Sequence, residues 1–468
     1  MATDRLPVLD ASFLALESPA APLQTGGLGI FGPGLDFSDV SHTLDARLHR
    51  LRKARQRVQP APLGLRPTWV DDPEFDLSFH LRHAALPAPG GPDELGELLA
   101  RILSRPLDRR RPLWELYVIE GLEGGRTGVL RKVHLAAAGQ DVDIFSLLLD
   151  SEPDPGGEPV PVRAWRPAEP AGQGELAVDA LREGLDRLLE AGRGVGEVLA
   201  TPGRAVRAAG DVAGSAARLA LRAVRRTPIS PLNVRLSPHR RFAMARVDLD
   251  DLRRVRRAYG GTINDAVVAV VGDAVGRLLR WRGHDTKDLD LRVMVPVRVN
   301  RSPERDPEVT EARSIGHGVV GVLAPLPVMQ MDPVARLYRV MGELAGLRES
   351  RQAVAADDLV RLAGYAPPNL HALAARLASA EQRYNLALSN APGPQQPRYL
   401  KGVPMEASYP FIPLAGDSAL SIAVTSYVGG MYFGILGDRR GMPDLDLLGG
   451  FLDQAVADLV ASIDSAAG

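Results

Sequence analysis

Strand-like and helix-like stretches alternate along almost the whole of this 468-residue chain, and that alternation limits its fold more than any other feature. Apolar residues recur at helical spacing over 40–57, beside an Arg-rich face. Residues 85–92, ALPAPGGP, form a loop by composition, after which Asp93 or Glu94 opens a helix to about Leu103. Residues 113–120 and 128–134 read as two strands around a Gly124-Gly125 turn. A second mixed region predicts strands at 241–247, 291–299 and 319–325, with helices at 264–281 and 333–350. Strands at 385–390, 399–405, 420–427 and 431–436 and a closing helix at 445–463 complete it. No period of about 20–50 residues repeats, which argues against a solenoid. The expected fold is mixed α/β, with two globular halves at 1–150 and 236–468.

Between the halves, residues 151–235 differ in composition. The stretch 151–173 is rich in Pro, Gly and Glu and reads as a linker. The stretch 176–226 is an Ala/Leu/Arg segment broken by Pro202 and reads as a solvated helical hairpin. Its Arg-rich face also permits peripheral contact with a lipid surface.

Composition excludes several kinds of chemistry. At 45% hydrophobic and 24% charged, the chain can bury sizeable cores, and bulk disorder is excluded. A net charge of −1 argues against a dedicated nucleic-acid binder, whose affinity rests on a basic face. The absence of cysteine removes disulfides, thiol nucleophiles, thiolate zinc sites and iron–sulfur clusters. Only Lys53, Lys132, Lys287 and Lys401 are available for Schiff-base chemistry. No histidine/carboxylate spacing predicts a metal site, and no Gly-rich phosphate loop of Walker or Rossmann type is present. No run approaches the roughly 18 apolar residues of a spanning helix, and the opening MATDRLPVLD, with two acids and no apolar run, is not expected to be a signal peptide. The cytoplasm is the expected compartment.

Eight blocks carry a resemblance. They are LDASFLALE (9–17), WVDDPEFDLSFHLRH (69–83), RPLDRRRPLWELYVIEGL (105–122), SPLN with HRRFA (230–243), GGTINDAVVAV (260–270), MVPVRV (294–299), SNAPGP (389–394) and FGILGDR (433–439). In this order they resemble the bacterial wax ester synthase/diacylglycerol acyltransferase family. The resemblance implies the two-domain fold of CoA-dependent acyltransferases of the chloramphenicol acetyltransferase type, with a tunnel and active site between the halves. It also implies a small-molecule acyl substrate and an acyl-CoA or other thioester as co-substrate, with no permanently bound cofactor.

The family's signature is HHxxxDG, after a strand ending in Lys-Val. Its second histidine takes the proton of an acceptor hydroxyl that attacks the thioester, a role suited to an imidazole titrating near neutrality. Here the stretch reads Lys132-Val133-His134-Leu135-Ala136-Ala137-Ala138-Gly139-Gln140-Asp141. His134 matches the first histidine, whereas Leu135 stands where the base would be and has no atom that accepts a proton. Gly139 and Gln140 occupy the aspartate and glycine positions, and the loop to Asp150 looks about two residues short. Other polar positions depart too: Gln24 where the family has histidine, His317 where it prefers asparagine, and Ser421 in place of asparagine. The family's usual general-base mechanism is therefore not expected.

The remaining candidates follow from the same stretches. His134, Asp141, Asp143 and His317 are candidate catalytic groups, either as a relocated base or as part of a rewritten polar centre. Leu135, Gln140, Gln24, Asn264, Asp265 and Ser421 are candidate substrate-lining residues. Each has a plainer reading: His134 as a satisfied core histidine, Asp141 and Asp143 as solvated loop acids, Asn264 as a helix N-cap with Asp265 in the first turn. The Arg clusters 109–111 and 240–241 are either phosphate contacts or surface charge. Three functions stay open. The chain binds an acyl or other long apolar substrate within the acyltransferase frame, or catalyses a non-transfer step such as cyclisation or elimination, or binds acyl chains without catalysis.

Overall fold

The structure, a computed structural model, describes residues 4–60, 66–138, 143–154, 156, 165–168, 172, 230–298, 319–349 and 384–466. The expected hairpin at 176–226 and the candidates Gln140, Asp141 and His317 lie outside the described residues, as does much of 151–173.

Two six-stranded sheets organise the described chain. The first contains β1 (Gln24–Phe31), β4 (Leu81–Ala85), β5 (Trp114–Leu122), β6 (Arg126–His134), β11 (Tyr399–Leu400) and β12 (Val403–Phe411), in the order β11-β12-β1-β6-β5-β4. The second contains β7 (Arg240–Asp248), β8 (Asp290–Arg298), β9 (Val319–Pro327), β10 (Leu386–Ala391), β13 (Leu420–Tyr427) and β14 (Gly430–Asp438), in the order β7-β14-β13-β10-β8-β9. A short ribbon pairs β2 (Gln56–Gln59) with β3 (Thr68–Asp71). The mixed α/β expectation holds.

One crossing departs from the division at residue 236. Residues 399–411, which that division puts in the second half, extend the first sheet, with Gly26 opposite Phe411 and Ile30 opposite Ala407. β12 also lies against β13 and β14. The approach is close enough that a Cβ on Gly434 would run into the Pro410 carbonyl oxygen. This strand stitches the two sheets together.

Three apolar cores follow from which faces the strands bury. In the first half, α1 (Val8–Leu16), α2 (Phe37–Arg47), α4 (Leu135–Ala138) and α5 (Ile144–Leu148) cover one face, around Phe31, Leu44, Trp114 and Val133. In the second, α6 (Leu249–Tyr259), α7 (Ile263–Trp281), α8 (Pro333–Glu349) and α9 (Leu447–Ala466) cover the other sheet. The run of small and β-branched residues in α7 buries it almost all round, as a core helix requires. The third core joins the halves. There α3 (Pro92–Leu103) sets Leu95, Leu99 and Ile102 between Leu28 and Leu130 of the first sheet and Phe242 and Leu436 of the second. A Cβ on Gly96 of α3 would come 2.8 Å from the Phe242 carbonyl oxygen, so glycine is needed for the helix to lie against β7.

Local departures have local causes. The helix expected over 40–57 stops at Arg47, and two short 3-10 turns carry the chain into β2. Tertiary pairing of Gln56–Gln59 with Thr68–Asp71 overrides the helical periodicity there. The strand expected over 399–405 is a hairpin. Lys401 and Gly402 both take positive φ, at 52° and 81°, and bring Leu400 opposite Val403. Within the expected linker, Trp165 lies 5.1 Å from the Arg55 guanidinium, and the Ala168 N–H donates to Asp71 at 3.0 Å. That part of the stretch is docked on the first half. Among the described residues, no helix is long and apolar enough to cross a membrane.

Candidate active site

The C-terminal end of β6 delivers His134 and Leu135. β6 sits between β1 and β5, and its register puts His134 directly opposite Gln24. Both are buried, with His134 fully so. The Ala136 N–H donates to His134 Nδ1 at 3.0 Å, so that nitrogen presents a lone pair to the backbone. The other ring nitrogen, Nε2, lies 3.5 Å from Glu17 Oε1. Leu135, half-buried, begins α4, and its N–H donates to the Leu23 carbonyl at 2.9 Å. The side chain at Leu135 is apolar, and the neighbouring imidazole is turned inward.

Glu17, at the end of α1, was not singled out from sequence. Its side chain is 6% exposed, yet it meets three groups. Oε1 accepts from the Leu23 N–H at 3.0 Å, and Oε2 accepts from Arg109 Nη2 at 2.6 Å. Burial alone would raise its carboxyl. The nearby His134 ring, Arg109 and the Leu23 amide outweigh burial and hold it below the usual carboxylate range. The signal available in the sequence was an acid closing the apolar run LDASFLALE.

Gln24 is fixed from the opposite side. Its Nε2 donates to the carbonyls of Arg105 at 2.9 Å and Leu103 at 3.3 Å, tying β1 to the end of α3. Its Oε1 is buried with no hydrogen-bond partner among the described residues. Two residues before His134, on the same face, Lys132 is buried and pairs with Glu115 at 3.0 Å. Burial lowers the Lys132 ammonium and Glu115 opposes that shift.

The other described candidates sit elsewhere. Asp143 caps α5, accepting from the Ser146 N–H at 3.2 Å, and pairs with Arg131 at 2.6 Å. Asn264 is not the N-cap expected for α7. Thr262 is, in a reciprocal box in which Thr262 N–H donates to Asp265 at 2.8 Å and Asp265 N–H donates to the Thr262 hydroxyl at 3.2 Å. The cap shifts because the T-x-x-D spacing satisfies two amides at once, which Asn264 could not do. Asn264 instead accepts from Asn390 at 3.2 Å, joining the start of α7 to the SNAPGP block. Ser421, buried on β13, donates to the Ile412 carbonyl at 2.8 Å. The structure thus brings Gln24, His134 and Leu135 together, while Asn264 and Asp265 gather at the start of α7.

The Arg clusters have protein partners. Arg240 is buried, donates to the Ser237 and Ala20 carbonyls and faces Asp438 at 3.7 Å. Arg241 pairs with Asp446 at 2.6 Å, and Arg111 lies over the Phe79 ring at 3.6 Å. Among the described residues no group of three histidines or acids is placed to hold a metal ion.

Comparison with known proteins agrees with this layout. The family model described as the wax ester synthase/diacylglycerol acyltransferase catalytic domain matches residues 6–267, and the WS/DGAT C-terminal domain matches residues 315–459. The probable diacylglycerol O-acyltransferase tgs1 of Mycobacterium tuberculosis is 32% identical over 467 residues, spanning 98% of this chain and 96% of its own length. The corresponding tgs2 is 30% identical over 483 residues, spanning 97% and 98%. The solved structure of the wax ester synthase/diacylglycerol acyltransferase from Marinobacter aquaeolei VT8 superposes with a TM-score of 0.66 at 26% identity, covering 98% of this chain and all of that one. The first condensation domain of the calcium-dependent antibiotic synthetase superposes at 0.55 with 19% identity, over 98% and 97% of the two chains, and shares the fold. With both domains matched in order over nearly its full length, the chain belongs to the wax ester synthase/diacylglycerol acyltransferase family.

Proposed function

We propose that this protein holds an acyl or other long apolar substrate in a tunnel between its two sheets, and that the family's histidine general-base step is lost. The observation that carries the reading is the end of β6. Leu135 has no proton-accepting atom, and the one imidazole beside it is buried with Nδ1 already accepting from Ala136. His134 therefore does not offer a free lone pair to a hydroxyl. Loss of a general base costs a factor of about 10² to 10⁴ in rate. Family membership supports an acyl substrate, delivered as acyl-CoA or another thioester. Half-buried Leu135, at the mouth of α4, suits contact with an apolar chain.

The test separates binding from turnover. Purified protein is titrated with medium- and long-chain acyl-CoA by calorimetry and native mass spectrometry, and thiol release is followed with a long-chain alcohol or diacylglycerol as acceptor. The expected outcome is saturable binding with thiol release at the buffer background. Release at the rate of an intact family member would sink the lost-base half of the reading. Failure to bind any acyl ligand would sink the other half.

A further inference from the structure

A ring of contacts closes around the junction where β6 turns into α4. Glu17 Oε1 accepts from the Leu23 N–H at 3.0 Å, and the Leu23 carbonyl accepts from the Leu135 N–H at 2.9 Å. The next amide, Ala136, donates to His134 Nδ1 at 3.0 Å, and His134 Nε2 returns to Glu17 Oε1 at 3.5 Å. A backbone amide brings a hydrogen and no lone pair, so Nδ1 must be bare and the neutral ring must carry its proton on Nε2. That proton faces a carboxylate that Arg109 covers from its more exposed side. Opposite His134 across the strand pair, Gln24 is anchored to the end of α3 and offers the ring only a carbonyl oxygen, because its amide nitrogen is spent on Leu103 and Arg105.

We infer that Glu17 is a positioning residue: its carboxylate holds His134 in the Nε2–H form that the Ala136 amide requires, and so fixes the backbone at Leu135 and Ala136, where the family presents its base. The carboxylate reaches both sides of the junction: one oxygen accepts from the Leu23 amide at 3.0 Å and lies 3.5 Å from the imidazole Nε2. A carboxylate held at about 2 keeps this acceptor role across neutral and mildly acidic pH. Glu17 does this whatever fills the tunnel and whether or not a thioester is turned over.

Proton–nitrogen correlation spectra of the full chain, isotope-labelled in its histidine rings, test the assignment at neutral pH. His134 is identified by the signals missing from His134→Asn. The expected native ring carries its proton on Nε2 with Nδ1 bare. Glu17→Gln, which keeps an acceptor oxygen, retains that form. Glu17→Leu mixes the two neutral forms and speeds exchange of the Ala136 amide about tenfold, as loss of one hydrogen bond would. A native ring protonated on Nδ1, or Glu17→Leu spectra and exchange rates equal to native, overturns the role. Where Glu17→Leu does not fold, Glu17→Ala is read in the same two ways, and an Nδ1–H or doubly protonated native ring refutes the role outright.

Discussion

A leucine side chain offers a substrate shape and apolar contact and nothing that accepts a proton, so replacing Leu135 by histidine is the direct probe of the proposed loss of the base. Catalytic geometry must hold to within about half an ångström. The nearest described acid of the loop, Asp143, is committed to Arg131 and the α5 cap. Leu135→His is therefore expected to leave acyl transfer at background in a thiol-release assay; activity of an intact relative in that variant would show that the base was the sole defect. Glu17 supports a second prediction, on stability. Its carboxyl falls from 4.5 to about 2 on folding, so its contribution is present above 4.5 and is lost as pH falls toward 2. The stability gap between the native protein and Glu17→Gln should shrink over that window by about 1–2 kcal/mol, measured by denaturant unfolding at a series of pH values. A constant gap refutes it. His134, Leu135 and Gln24 were legible as a site because they stand at signature positions where the sequence departs from the family's pattern. Glu17 was not, because its partners are 92 and 117 residues away along the chain and only folding brings them within reach.

At the scale of elements, periodicity found most helices and strands and misjudged their ends. The apolar run of α7 is unmistakable, yet its cap is Thr262 rather than Asn264. Thr262→Ala should cost about 1 kcal/mol, and Asn264→Ala less, since among the described residues its side chain bonds Asn390 alone, at 3.2 Å. Denaturant unfolding of both variants settles the order, and an Asn264→Ala cost equal to or above that of Thr262→Ala reverses the assignment. The hairpin at Lys401-Gly402 escaped notice because only one of its two positive-φ residues is a glycine, and a lysine in that conformation carries no compositional warning. The helix expected at 40–57 failed for another reason. Gln56–Gln59 alternate as well as they spiral, and the presence of β3 as a pairing partner decides between the two.

At the scale of the whole molecule, β12 and α3 hold the halves together, and the points of closest approach are glycines. Gly434→Ala would drive a methyl into the Pro410 carbonyl, where neither backbone can yield, and should cost at least about 3 kcal/mol or prevent folding. Gly450→Ala, exposed on α9 with open space around it, should be neutral or stabilising by roughly 0.5–1 kcal/mol. Thermal unfolding of the pair tests the seam, and equal melting temperatures would mean that the sheets do not meet there. By itself the sequence determined that the chain is mixed α/β, that it carries the family's blocks in order, and that Leu135 cannot act as a base. Those follow from side-chain chemistry and short-range spacing, which need no knowledge of what lies opposite. Only the tertiary structure decided that residues 399–411 cross to the first sheet, that Thr262 caps α7, and that Glu17 and Gln24 flank His134. A strand's free edge and a buried carboxylate accept any partner of the right geometry. Which one they meet is set by packing between residues far apart in the chain.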